Sequence, residues 1–179
     1  TMAASSSFAP GVFGLTVHRA LELVLTGALG DAAAAVEVAA REQGEAVPDR
    51  AEAEADVRRA LATLTAQGLD AAGGRVLCEY PLAAALGEGD LVAGVADLVH
   101  VGKDAVTVVD FKTDAPRPGG VASAFPAYAR QLDVYRRLLG ASGCAGGRGL
   151  RSGLLFTATG ELRWHAAGDD ADAGEQGEP

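Results

Sequence analysis

This sequence of 179 residues has few aromatic side chains, only two cysteines and no excess of positive charge. The two cysteines have no paired spacing, which excludes a disulfide framework and a zinc or iron–sulfur signature. A net charge of −9 excludes a polycation that holds nucleic acid by charge alone, but leaves a local basic patch open. No apolar run reaches about 18 residues and no signal peptide is recognisable, so we expect a cytoplasmic protein without a membrane span.

The chain is long enough for one domain with a hydrophobic core. We expect residues 1–14 to form an N-terminal extension and residues 15–167 to form the domain. Residues 168–179 are acidic and glycine-rich, and we expect them to form a disordered tail. Both ends have the character of a domain taken from a longer chain.

Hydrophobic periodicity predicts the order of the secondary structure. A helical period begins at Thr16, which we expect to be an N-cap, and two further helices are predicted over 31–43 and 50–66. Later elements are predicted as strands over 75–80, 91–101 and 105–111, a helix over 122–140, and strands over 151–157 and 161–166. This order predicts an α/β domain with a mixed sheet.

Charged residues interrupt the two apolar strands of GVADLVHVGKDAVTVVDFKTD. Asp110 and Lys112 share one face of a strand, and Phe111 is directed into the core. An antiparallel pairing places Asp97 opposite the residue before Asp110. Neighbouring carboxylates repel unless a cation lies between them, and such sites suit Mg²⁺ or Mn²⁺, with Lys112 beside a water or a developing charge. The alternative is a partly buried Asp110–Lys112 ion pair with a solvated Asp97.

Two helices carry residues with both a structural and a functional interpretation. His18 and Glu22 lie four apart, where a lone histidine is commonly structural and no third nitrogen or sulfur ligand for zinc appears. Tyr128, Gln131 and Tyr135 form either a core-facing stripe or a row of polar tips that orient a phosphate backbone or the lysine. A basic cluster on the same helix is either a nucleic-acid contact or a solvated face. Its members are Arg130, Arg136 and Arg137.

The order HxxxE, EYP, GVADLV, VVDFKTD and YxxQLxxY resembles the RecB/AddA-type nuclease domain of the PD-(D/E)XK superfamily over about residues 11–157. The resemblance implies a restriction-endonuclease-like core, with a mixed central sheet flanked by helices. It also implies a Mg²⁺- or Mn²⁺-dependent deoxyribonuclease, an exonuclease or endonuclease. Its expected substrate is single-stranded DNA, in double-strand-break repair.

The resemblance further assigns roles to individual residues. Those that match the metal ligands are His18, Asp97, Asp110 and, through its carbonyl, Phe111. Those that match catalytic positions are Asp97, Asp110, Lys112, Gln131, Tyr135 and Glu79. The lysine is implied to position or activate the attacking water, and the glutamine and tyrosine to support the lysine and contact DNA.

The implied partners are DNA, a UvrD-like helicase in the same parent chain, and a second subunit. No Walker A motif occurs, so the ATP-dependent motor would lie outside this sequence. One alternative is a non-catalytic nuclease-like domain that binds DNA or a helicase partner; another is a stand-alone phage or CRISPR-associated nuclease. A degenerate copy loses an aspartate or the lysine. Activity is favoured because His18, Asp97, Asp110 and Lys112 are all present.

Overall fold

One mixed sheet of five strands forms the centre of the computed structural model, which describes residues 11–44, 49–86 and 90–166. The acidic tail predicted for residues 168–179 lies outside these ranges, as does most of the predicted N-terminal extension. The elements are α1 Val12–Leu25, α2 Ala32–Gln43, α3 Arg50–Ala66, β1 Arg75–Leu86, β2 Asp90–Val101, β3 Ala105–Lys112, α4 Val121–Ala124, α5 Pro126–Ala141, β4 Gly149–Phe156 and β5 Glu161–His165. The predicted α/β class and the predicted order of elements are confirmed.

The sheet has the strand order β1-β2-β3-β4-β5, and only β3 and β4 run parallel. A parallel pair needs a crossover connection, which α4 and α5 provide. Because helices cover both faces of the sheet, β3 is buried along almost its whole length. In the β2–β3 ladder Leu98 pairs with Val109, one residue away from the predicted pairing of Asp97 with Val109.

Each face of the sheet has its own hydrophobic core. The core beneath α1, α2 and α3, called here the α1–α3 core, includes Val17, Leu21, Leu64, Leu98 and Phe111. The core beneath α4 and α5, called the α5 core, includes Val108, Leu132, Leu138, Leu154 and Phe156. Burial of each such side chain stabilises the fold by about 1.5–3 kcal/mol, so both helical layers are held firmly against the sheet. Side chains from both layers can therefore meet at the end of β3.

Two helices differ from their predicted bounds. The first begins at Val12, so Thr16 lies inside it and donates a hydrogen bond from Oγ1 to the Val12 carbonyl over 2.8 Å. The extra turn is stabilised because Phe13 packs against the α1–α3 core. The helix predicted over 122–140 is interrupted at Phe125, which has φ −138° and ψ 60°. Proline disfavours helical backbone in the residue before it, and α5 starts at that proline.

The helices of the described ranges are short. The longest, α3, has 17 residues. Within these ranges no helix combines the length and the apolar character that crossing a membrane would require.

Candidate active site

A cleft of about 890 Å³ lies between α1 and α5, at the end of β3. The fold brings to it every residue that the sequence predicted for the site: His18, Glu79, Asp97, Asp110, Phe111, Lys112, Gln131 and Tyr135 all line the cleft. They come from both helical layers and from three neighbouring strands. Residues that are distant in sequence therefore share one solvent-filled space.

His18, Glu79 and Asp97 form a compact group on one side of the cleft. Each offers one ligand atom, and these atoms lie within 4.8 Å of one another. The closest contact joins His18 Nδ1 to Asp97 Oδ1 over 3.3 Å. Burial lowers the pKa of His18, but the hydrogen bond and negative charge of Asp97 outweigh it and leave the pKa raised. Burial, followed by repulsion from Asp97, raises the pKa of Glu79.

Asp97 is held in place by the neighbouring strand. The backbone N–H of Phe111 donates a hydrogen bond to Asp97 Oδ2 over 2.6 Å, which leaves Oδ1 facing His18. The Phe111 ring also packs edge-on against His18, with ring centres 5.7 Å apart. Phe111 thus contacts both Asp97 and His18, through its amide and its ring, in addition to the predicted role of its carbonyl.

Lys112 is fixed between a carboxylate and an aromatic ring. Its Nζ lies 2.6 Å from Asp110 Oδ2 and 4.1 Å from the centre of the Tyr128 ring. Burial, together with the charge of Asp97, raises the pKa of Asp110 to about 6, and Lys112 opposes this shift. The ion pair of the alternative interpretation is therefore present, but Asp97 is not solvated, because its side chain is only 15% exposed and is hydrogen-bonded.

Gln131 and Tyr135 form a hydrogen-bonded chain toward β2. Gln131 Nε2 donates to the Tyr135 hydroxyl over 2.9 Å, and that hydroxyl donates to the Val95 carbonyl over 2.6 Å. Burial raises the pKa of Tyr135 to about 12, so the hydroxyl keeps its proton as a donor. Neither residue hydrogen-bonds to Lys112 within the described structure. In this geometry the support of the lysine comes from Tyr128 instead.

Tyr128 is the member of the predicted row of polar tips that contacts the lysine, although it was not among the residues matched to catalytic positions. Its ring lies under the ammonium group of Lys112, and its hydroxyl donates to Asp114 Oδ2 over 2.9 Å. The available signal was its place as the first tyrosine of YxxQLxxY, together with the second aspartate of DFKTD. An aromatic face against an ammonium group is a favourable electrostatic contact that also keeps water from one side of the cation.

A second set of contacts, on α3, reaches the same lysine through the backbone. The Lys112 carbonyl accepts a hydrogen bond from the Thr157 N–H over 2.8 Å. Thr157 Oγ1 donates to the buried carboxylate of Asp56 over 2.8 Å, and Asp56 pairs with Arg59. Asp56 and Thr157 are 101 residues apart, so no local pattern could have revealed the contact. These bonds attach the end of β3 to α3.

Strands β1 and β2 change the faces of their side chains at Glu79 and Asp97, a feature called here the face switch. In β1, Val76 and Cys78 pack into the α1–α3 core. The even-numbered residues that follow pack into the α5 core instead, namely Tyr80, Leu82 and Ala84. The pairing register is the same on both sides of the switch. Glu79 makes the change possible by adopting a left-handed backbone with φ 46°.

The left-handed backbone of Glu79 predicts a stability difference between two substitutions. Glu79→Gly and Glu79→Ala both remove the carboxylate, but only glycine also removes the steric conflict at positive φ. We expect the glycine variant to be more stable than the alanine variant by about 1 kcal/mol. Urea unfolding followed by circular dichroism measures the difference. An alanine variant as stable as the glycine variant would show that the backbone here is unstrained.

The residues of the cleft fit a divalent cation. The donor set is one imidazole nitrogen and two carboxylate oxygens within 4.8 Å of one another, a combination that suits a divalent cation such as Mg²⁺ or Mn²⁺. Asp110 Oδ2 is buried, and within the described residues its close partner is the Lys112 ammonium group, 2.6 Å away. Asp110 lies outside the compact group of three, although it was expected to be a ligand and Glu79 was not. A cation would offset the mutual repulsion of these carboxylates.

Comparison with known proteins agrees with this geometry. A family model described as the PD-(D/E)XK nuclease superfamily matches residues 2–175. The solved structure of a "Putative exonuclease" from Eubacterium rectale matches with a TM-score of 0.53 and 14% identity. That match covers 92% of this chain and 62% of the other, so this chain spans less than two thirds of its neighbour.

A second solved structure, described as SSO0001, matches with a TM-score of 0.34 and 14% identity, over 84% of this chain and 64% of the other. A search of curated proteins finds no match. The first structural match shows the shared fold, and the family model places nearly the whole chain in one superfamily.

Proposed function

This chain belongs to the PD-(D/E)XK nuclease superfamily, and we propose that its cleft hydrolyses DNA phosphodiester bonds in a reaction that depends on Mg²⁺ or Mn²⁺. The observation that carries the proposal is the meeting of two groups in one cleft. The compact group of His18, Glu79 and Asp97 lies beside the buried pair of Asp110 and Lys112. A merely structural ion pair would not need a second cluster of uncompensated carboxylates beside it.

We propose that His18, Asp97 and Asp110 hold the cation, with Glu79 and the Phe111 carbonyl completing or supporting the set. Glu79 enters because its carboxylate belongs to the compact group. When bound, a divalent cation supplies Lewis-acid stabilisation of negative charge on a phosphoryl oxygen and lowers the pKa of a bound water. The fold separates this task from that of Lys112, which contacts only Asp110 among these residues.

The chain's own residues position the nucleophile and the strand. The Lys112 ammonium group has three N–H donors, and Asp110 and the Tyr128 ring hold it in place. It can therefore orient a water toward phosphorus and stabilise the negative charge that develops there. Gln131 and Arg130 line the same cleft from α5, where an amide and a guanidinium can bind phosphate oxygens. Arg19 is engaged by Glu22 and Glu42, so its charge is already compensated.

We further propose single-stranded DNA as the substrate and a UvrD-like helicase of the RecB/AddA type as the partner that delivers it. The support is the motif order from HxxxE to YxxQLxxY and the absence of a Walker A motif from this sequence. The net charge of −9 also favours delivery by a partner over capture by long-range attraction. The non-catalytic alternative has no feature of the cleft in its favour, because the aspartates and the lysine are all in place.

The first test is cleavage of end-labelled single-stranded DNA with Mg²⁺ or Mn²⁺. We expect the parent chain to cut only with the metal, and Asp110→Asn to lower the rate by at least about 100-fold. Asp104→Asn is the matched control, since Asp104 is exposed in the turn before the same strand. No cleavage together with no Mn²⁺ binding by calorimetry would overturn the proposal and favour the non-catalytic domain.

A further inference from the structure

A second cavity, of about 220 Å³, lies on the opposite side of α5 from the residues of the cleft and shares no lining residue with it. It is called here the β5 pocket, because it lies where β5 ends beside the start of β4. Its lining consists of Arg136, Leu150, Arg151, Ser152, Trp164, His165 and Ala166. None of these residues has a role in the cleavage proposed above.

Two buried side chains of this pocket each have one polar atom without a hydrogen-bond partner among the described residues. Ser152 and His165 pair across β4 and β5, and they are only 1% and 6% exposed. His165 Nε2 lies 2.9 Å from Asp133 Oδ1, which fixes the ring, yet His165 Nδ1 has no hydrogen-bond partner within the described ranges. Ser152 Oγ has none there either. Because buried polar atoms are nearly always hydrogen-bonded, these two atoms leave hydrogen-bonding capacity at the pocket that an ordered water or a polar ligand would use.

The charge of the pocket indicates the sign of that ligand. Arg136 and Arg151 both line it, and neither makes an ion pair within the part of the chain that the structure describes. Arg151 stacks on the ring of Trp164, with its guanidinium carbon 3.8 Å from the ring centre. Stacking leaves the edge N–H groups of a guanidinium free to bind oxygens. Because consecutive strand residues alternate, Arg151 and Trp164 lie on the sheet face opposite to Ser152 and His165, so Arg151 and Arg136 border the cavity from its two sides and give it a positive charge that fits a phosphate group.

The position of the pocket connects it to the cleft. Arg130 lines the cleft and Arg136 lines the β5 pocket, and both belong to α5. Six residues of helix separate them by about 9 Å along the axis, and they point to different sides of the helix, so a strand that reaches both cavities passes around α5 and spans several nucleotides. Of the three arginines that the sequence presented as either a DNA contact or a solvated face, Arg130 therefore lines the cleft, Arg136 lines the β5 pocket, and Arg137 is exposed and lines neither.

We propose that the β5 pocket binds a phosphate group of the DNA strand outside the segment that is cut. This inference rests on the proposed function, since it takes the strand in the cleft to be DNA. Inorganic phosphate has the same chemistry and is the competing source. A strand held at both cavities would be retained after each cut, so the pocket would favour longer substrates over short ones.

Trp164 provides the test, because it is the only tryptophan of the chain and lies at the pocket with its ring 37% exposed. Its fluorescence is titrated with inorganic phosphate and with oligothymidylates of about 4 and about 12 nucleotides, a range of site sizes found for single strands. EDTA is present, so that no metal binds and no cleavage occurs. We expect a saturable change with phosphate and tighter binding of the longer oligonucleotide.

The matched variants are Arg136→Gln combined with Arg151→Gln, and Arg137→Gln as the control on the same helix. Since the double variant loses one phosphate contact, we expect weaker binding of the long oligonucleotide by fluorescence anisotropy and a salt slope smaller by about 1. The control keeps the parent affinity. An unchanged affinity in the double variant would overturn the proposal.

Two further outcomes separate the sources. Saturation by phosphate with equal affinity for both oligonucleotides would overturn the DNA strand as the ligand. The absence of any saturable change would overturn the pocket itself. Because every arm excludes metal and cleavage, these results stand apart from those of the nuclease assay, which uses Asp110→Asn.

Discussion

Replacing Lys112 with methionine is expected to lower kcat for DNA cleavage by about 100- to 1000-fold without weakening Mn²⁺ binding. The ammonium group is a donor beside the proposed water, and methionine fills similar space without a charge. Lys112 Nζ lies 2.6 Å from Asp110 Oδ2, where it repels a second cation. Its removal should therefore leave the affinity for Mn²⁺ equal or raise it. A large fall in kcat without a fall in the affinity for Mn²⁺ distinguishes a catalytic role of the lysine from a structural one.

The chain contains one other lysine, Lys103, and Lys103→Met is the matched control because this side chain is exposed in the turn before β3. Cleavage is measured under single-turnover conditions, and Mn²⁺ binding by calorimetry. Lys112→Arg keeps the charge but not the compact ammonium, so we expect it to restore little activity. A methionine variant with the parent kcat would show that the lysine serves only to compensate Asp110.

The second large effect is expected for Asp97→Asn, which should remove cleavage and weaken Mn²⁺ binding by at least about 100-fold. Asparagine keeps the shape of Asp97 and can still accept the hydrogen bond from the Phe111 N–H. It removes the charge that faces His18 and the other carboxylates. The loss of cleavage and of Mn²⁺ affinity would therefore result from a weakened cation site and not from unfolding. Circular dichroism would check that the variant remains folded.

The same variant has a readout that needs no metal. Because Asp97 raises the pKa of His18, the pKa of His18 should fall in Asp97→Asn, as followed by NMR of the imidazole protons. Asp133→Asn is the control, since Asp133 also contacts a histidine, His165, outside the cleft. It should leave Mn²⁺ binding unchanged. Full Mn²⁺ affinity in Asp97→Asn would place the cation away from this group.

Local patterns were sufficient to predict the strands, although β1 continues to Leu86, and to bring Asp97, Asp110 and Lys112 together. The other residues of the site were assigned by the resemblance to a known family, namely His18, Glu79, Gln131 and Tyr135. The β2–β3 hairpin was found because a short turn separates two β-branched runs, and Asp110 and Lys112 share a face because strands alternate. The predicted pairing was off by one residue because the turn is shorter than predicted: Gly102 donates from its N–H to the Ala105 carbonyl over 2.9 Å, which leaves two residues in the loop, and loop length sets the register of a hairpin. The long helix was predicted without its break, although Pro126 was visible in the sequence.

Long-range contacts account for what the sequence could not predict. Thr157 and Asp56 meet across 101 residues, through the packing of α3 against the turn after β4. Tyr128 contacts Lys112 only because the break before α5 sets the direction of that helix. Glu79 was expected near the site but not in the compact group with His18 and Asp97. Regular strand alternation assigns Glu79 to one face of the sheet, and its left-handed backbone, which changes that assignment, cannot be recognised in the sequence.

The face switch divides the β1–β2 hairpin into an inner and an outer half, which differ in the hydrophobic cores that they contribute to. The inner half of the hairpin contributes to both cores, with Val76, Cys78 and Leu98 in the α1–α3 core and Leu77 and Val99 in the α5 core, whereas the buried residues described for the outer half belong to the α5 core alone. On its other side Leu91 and Val95 are 60% and 48% exposed, so no second layer constrains that surface. A change in the length or the exposed side chains of the outer half would therefore leave Glu79 and Asp97 in place, even though Val95 of this half lines the cleft. Such changes would alter substrate preference while the carboxylates and the lysine of the cleft stay in place.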